Sequence, residues 1–76
     1  MNEKLKLTIA EELEVEPEEL TSEIALDDID NWDSVTALTI MVILSDELGS
    51  PVSPNEMRHL KTFGDIEKLV LSKTQG

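Results

Sequence analysis

From Val35 to Leu48 the chain is apolar on more faces than an ordinary surface helix, and this stretch limits what the rest can fold into. Ala37, Met41, Leu44 and Leu48 form one stripe at helical spacing, enough to face a core. Val35, Leu38 and Val42 form a second stripe, and Ile40 and Ile43 add to a third side. A helix apolar this far round is either central to a bundle or presents a strip to something else. Gly49 supplies a C-terminal cap and Pro51 prevents continuation, so the helix is expected over Ser34 to Leu48. The chain has 76 residues, room for one small domain spanning 1–76, and a core of that size calls for a simple, locally connected fold.

The flanking segments supply three further helices. Leu5, Ile9 and Leu13 recur at helical spacing with acids on the other faces, which predicts a helix over about residues 3–14. Glu16-Pro17 is expected to end it, because the residue before proline avoids the helical region. Residues 17–33 then read as a long connection with at most a short turn near Pro17–Leu20. Its Leu20, Ile24, Leu26 and Ile29 are expected to pin it to the bundle. Ser53-Pro54-Asn55-Glu56 combines a capping box with a proline at the first helical position and starts a short helix ending near Leu60. Thr62-Phe63-Gly64-Asp65 is a second capping signal, followed by Ile66, Leu69 and Val70 as an apolar stripe. Residues Lys73 to Gly76 are expected to fray. With no alternating strand-like run, the fold class is all-α: a four-helix bundle with a long loop between the first two helices and a short third helix.

Charge narrows the partners. Seventeen acids against six Lys and Arg leave a net charge of −11, and twelve of those acids fall in residues 1–33 with only Lys4 and Lys6 to offset them. Nucleic acid and anionic membranes need a basic face, so both are poor partners. Basic protein surfaces suit the chain better, although an acidic surface kept for solubility accounts for the charge equally well. No stretch reaches the length of a membrane span, and the N-terminus lacks a signal-peptide pattern. The absence of cysteine removes disulfides and thiolate metal sites and fits a cytoplasmic protein.

Asp33-Ser34 opens the apolar helix. The first turn of a helix has unsatisfied N–H groups and a partial positive charge, and so favours a phosphate. A serine hydroxyl there is well placed to carry a phosphodiester, but two such residues are also ordinary N-caps.

The wider sequence resembles the acyl carrier protein family. The resemblance rests on Leu13-Glu14-Val15 followed by Pro17-Glu18-Glu19-Leu20-Thr21, and on Asp33-Ser34-Val35 where the family has Asp-Ser-Leu. Val52 before the short helix and Thr62-Phe63-Gly64-Asp65-Ile66 complete it, so that nearly the whole chain is covered. It implies that Ser34 is the attachment point of 4'-phosphopantetheine, transferred from coenzyme A by a separate phosphopantetheinyl transferase. Cargo would ride as a thioester on the arm, and acyl-loading and acyl-transfer enzymes would be the partners of a monomer. No residue would be catalytic and none would bind a metal. Members serving fatty-acid synthesis usually bear acids along the exposed face of the second helix. The matching positions here are Thr36, Thr39 and Ser45, with only Asp46 and Glu47 acidic. This departure implies a dedicated carrier of a lipid, polyketide, peptide or cell-envelope pathway. Docking is expected through Val35, Leu38 and Val42, with Thr39 and Asp46 beside them. A peptidyl or aminoacyl carrier shares the same fold and arm, and an unmodified helical adaptor remains the rival from a different class.

The remaining candidates have plainer readings. Asp33 caps the helix and, in the family's setting, flanks the modified serine and helps orient the transferase's metal or basic residues. Trp32 is expected to pack one face on the core and to hydrogen-bond through its N–H. His59 has no second histidine or cysteine to complete a metal site. Asp27-Asp28-Ile29-Asp30-Asn31-Trp32-Asp33 lacks the glycine and the spaced glutamate of a calcium loop.

Overall fold

In a computed structural model, which describes residues 2–75, the central helix α2 spans Ser34–Leu48 and packs against all three others. Helix α1 covers Glu3–Leu13, the short α3 Pro54–Arg58 and α4 Phe63–Gln75. The four helices and their connecting loop form an all-α bundle. Its core is Leu5, Ile9 and Leu13 of α1, Ile40 and Leu44 of α2, Met57 of α3, and Phe63, Ile66 and Val70 of α4.

The face that α2 buries differs from the expected one. Thr36, Ile40 and Leu44 are its buried residues, while Ala37, Met41 and Leu48 are only partly covered. Leu44 is common to both stripes, and the buried line is turned by roughly 70° on a helical wheel. An almost uniformly apolar helix carries little information about its rotation, and the neighbours that pack on it decide. Two of the positions read as exposed are also corrected. Thr36 is 8% exposed and belongs to the core face. Ser45 is half-buried, donates its hydroxyl to the carbonyl of Met41 at 2.9 Å and accepts the Val52 N–H at 3.0 Å. It fastens the segment that leads into α3.

Helix α1 stops at Leu13, before proline can act. Glu14 adopts a left-handed conformation (φ 59), and the Val15 N–H turns back to the Ala10 carbonyl at 3.0 Å, which closes the helix end. The loop has two 3-10 turns, Pro17–Glu19 and Leu26–Asp28, the second unexpected from sequence. Leu20, Leu26 and Ile29 are buried and Ile24 is partly so, as expected of residues that pin it. Backbone bonds add to their hold. Leu26 N–H donates to Lys61 O at 2.9 Å, Phe63 N–H to Ile24 O at 3.1 Å and Gly64 N–H to Ser22 O at 3.0 Å. Asn31 Nδ2 donates to the Glu12 carbonyl at 2.9 Å and ties the loop's other end to α1.

Both capping signals operate. Ser53 and Glu56 exchange side-chain and backbone bonds at α3, and Thr62 and Asp65 do so at α4. At the C-terminal end α4 runs through Gln75, over the residues expected to fray from Lys73 onward, and Gly76 lies outside the described residues. Lys73 ties this last turn down. Its Nζ lies 3.1 Å from Glu56 Oε2 and 3.2 Å from the Pro51 carbonyl, so the last turn is anchored to the start of α3.

Candidate functional site

Ser34 is the first residue of α2 and is exposed. Asp33 precedes it in an extended conformation as the N-cap, and its Oδ1 accepts the Thr36 N–H at 2.8 Å. That backbone bond holds the Asp33 carboxyl below the usual carboxylate range, with a smaller contribution from the Val35 N–H. The carboxylate is thus committed to the helix. Among the described residues the Ser34 hydroxyl has no hydrogen-bond partner, and the Ser34 N–H has no acceptor. A free hydroxyl and an unpaired helix-end donor therefore stand together where a phosphodiester is electrostatically favoured.

A groove of about 880 Å³ opens beside this serine. Its floor is apolar, made by Ala37, Leu38 and Met41 of α2 with Met57 and Leu60 from the α3 side. Trp32 lines it as well, half-buried and packed against the core, in keeping with the expectation for one of its faces. The indole N–H makes no hydrogen bond among the described residues; at a partly exposed position water can satisfy it. Arg58 and Lys61 also line the groove, a feature that sequence inspection missed. Their place in its lining depends on how α3 packs on α2, and no local pattern encodes that.

On the outer side of α2, Val35, Leu38 and Val42 are 71%, 54% and 62% exposed. They form a continuous apolar strip that starts next to Ser34. Thr39 lies beside them, half-buried, with its hydroxyl donating to the Val35 carbonyl at 3.1 Å, and Asp46 is exposed further along. His59 is exposed at the end of α3, with Nδ1 2.8 Å from the Asn55 carbonyl. The acidic loop brings no three metal-ligating side chains together among the described residues.

Comparison with known proteins accounts for this arrangement. A family model described as the phosphopantetheine attachment site matches residues 3–70. The acyl carrier protein of Thermosynechococcus vestitus is 30% identical over 71 residues, which cover 93% of this chain and 88% of that protein. The chain belongs to the acyl carrier protein family.

The family's prosthetic group is phosphopantetheine, and the residues present fit it. A carrier needs an accessible hydroxyl for the phosphodiester, donors to receive its charge and room alongside for the arm. Ser34, the first turn of α2 and the adjoining groove offer all three. No helix of the carrier is long and apolar enough to cross a membrane among the described residues.

Proposed function

We propose that this carrier holds 4'-phosphopantetheine on Ser34 and delivers acyl groups to partner enzymes of a specialised lipid, polyketide or cell-envelope pathway in the cytoplasm. The observation that carries the reading is the exposed Ser34 hydroxyl, without a hydrogen-bond partner among the described residues, at the N-terminus of α2 and beside an apolar groove. When bound, the arm supplies a thiol on which acyl groups form thioesters.

The protein's own residues do the rest by binding and presentation, with no bond chemistry of their own. Asp33 fixes the start of α2, and with it the position of Ser34, through its bond to the Thr36 N–H. The N–H groups of the first turn stabilise phosphate charge. Ala37, Leu38, Met41 and Met57 exclude water from an apolar chain laid in the groove. Val35, Leu38 and Val42 are the docking strip for the phosphopantetheinyl transferase and the acyl-loading and acyl-transfer enzymes, with Thr39 and Asp46 at its edge. That strip favours dedicated partners with an apolar patch over the basic patch that suits an acid-lined helix, and the carrier meets them as a monomer.

Intact mass after incubation with a broad-specificity transferase and coenzyme A tests the attachment. The wild-type chain should gain one phosphopantetheinyl group. Ser34→Ala should gain none while keeping its helical circular dichroism. Modification of Ser34→Ala, or failure of the folded wild type with several transferases, overturns the proposal.

A further inference from the structure

We infer that Trp32 is a positioning residue for the prosthetic arm: its indole ring walls the arm, and its indole N–H donates to one of the arm's amide carbonyls. This rests on Ser34 being the attachment point. Trp32 stands two residues before Ser34. Two residues span at most about 7 Å of chain, so the base of the ring is beside the serine, and both residues line the same groove. That base is fixed. The Trp32 backbone N–H donates to the Ile29 carbonyl at 3.0 Å, and Ile29 is itself buried in the core. On one side Asn31 Nδ2 donates to the Glu12 carbonyl at 2.9 Å, and on the other Asp33 Oδ1 accepts the Thr36 N–H at 2.8 Å.

The ring packs part of its surface on the core, yet its Nε1 has no hydrogen-bond partner among the described residues. Every fully buried side-chain nitrogen or oxygen among them has a partner, so this donor is not sealed in the core but open to an occupant. Water serves it before the arm is attached. Phosphopantetheine is a chain of amides set between short apolar stretches. A flat apolar face carrying one neutral donor suits such a chain, whereas Arg58 and Lys61 are cations that suit its phosphate. A donor on a fixed base costs little to order, so the contact favours one direction for the arm. That direction is over Ala37 and Met41 on the groove side of α2, which leaves Val35 and Val42 of the docking strip uncovered.

The test compares the full chain before and after a transferase attaches the arm from coenzyme A. Intact mass first shows that one arm is attached, so failure of attachment is separated from failure of this inference. Trp32 is the only tryptophan, so a nitrogen-15 spectrum holds a single indole N–H signal. Attachment should move that signal downfield. A net hydrogen bond of this kind shifts a population about twofold to tenfold, so exchange of the indole proton with water should slow by a similar factor. Trp32→Phe keeps an aromatic wall and removes the donor. In that variant, the backbone amide shifts that attachment causes at Ala37 and Met41 should fall severalfold, with the phosphorus-31 signal of the phosphodiester unmoved. An indole signal and exchange rate indifferent to attachment overturn the inference. So do Ala37 and Met41 shifts on attachment that are as large in Trp32→Phe as in the wild type, which would leave Trp32 a packing residue only. A phosphorus-31 signal displaced in Trp32→Phe also overturns it, by assigning the N–H to the phosphodiester. The wild-type indole signal needs no substitution, so the inference stays open to refutation even if the variant fails to fold.

Discussion

Replacing Gly64 by alanine tests how closely the loop packs on the start of α4. A Cβ there would sit 2.7 Å from the Ser22 carbonyl oxygen and 3.2 Å from the Ser22 Cβ. The obstacle is backbone, so no rotamer change relieves it. Either the loop retreats by several tenths of an ångström or the 3.0 Å bond from the Gly64 N–H to that same oxygen is lost. Overpacking costs about 1–3 kcal/mol and a lost hydrogen bond about 1 kcal/mol, against a gain of up to about 1 kcal/mol from removing glycine's backbone freedom. The net is a loss of about 1.5 kcal/mol. For a domain of this size that lowers the thermal midpoint by roughly 6–12 °C. Gly49 is the control. It has nothing within 4 Å but takes φ +61, so Gly49→Ala meets strain without a clash. Its cost should be about 1 kcal/mol, and Gly49→Asn should recover part of it because asparagine tolerates that conformation. Gly64→Asn should recover nothing. Thermal melts followed by circular dichroism decide the matter: a Gly64→Ala midpoint within 2 °C of wild type, on the scale of about 4–8 °C per kcal/mol, would refute the reasoning.

Three further outcomes are expected. Val42→Glu should fold, since Val42 is 62% exposed, yet slow loading by an enzyme that docks on the strip by about 30-fold, whereas Asp46→Asn should change it less than about threefold; the reverse ranking in a loading assay would make docking electrostatic. Asp33, Glu56 and Asp65 all have carboxyls held below their ordinary values, first by backbone N–H bonds. Their contribution to stability is therefore present above the ordinary carboxylate range and lost as pH falls through the depressed values, so Asp33→Asn should flatten the acid limb of a midpoint-against-pH curve; an unchanged limb removes that cap from the account. The acids of residues 1–33 are nearly all exposed, and among the described residues the one ion pair joins Glu56 to Lys73. Added salt should accordingly raise the midpoint by screening their mutual repulsion, and a midpoint indifferent to salt would show that they are too dispersed to matter.

Helix boundaries were legible wherever a residue acts on its own neighbours. Asp33, Gly49 and the Ser53 and Thr62 capping boxes work within a few residues, and α2 spans Ser34–Leu48 as the sequence predicts. The left-handed Glu14 was not legible, because a glutamate carries no preference for that conformation and the helix-end bonds impose it. The orientation of α2 was misread for a different reason: its apolar stripes nearly encircle the axis, and burial of Thr36 and Ile40 follows from how the other helices lean on it. Ser34 could be singled out from sequence because its surroundings form a local pattern. Arg58 and Lys61 were overlooked because they reach the same groove only through tertiary packing. Gly64 stood in a recognised motif, but its physical reason lies in Ser22, far away along the chain.

The pairing of residues 22–26 with 61–64 also bears on the order in which the molecule assembles. Each helix is built from neighbours and can form in microseconds, but this junction must bring together segments separated by all of α2 and α3. Closing so long a loop is entropically the slow part. Until it closes, the stretch leading to Ser34 is held by its own buried residues and by the link of Asn31 to α1 alone, and the groove lacks the lining that Leu60 and Lys61 provide. A chain with α1 and α2 formed but this junction open would therefore present the serine in an unfixed setting. A transferase that reads the assembled surface would pass it over, and the attached arm would serve as a mark that folding had finished.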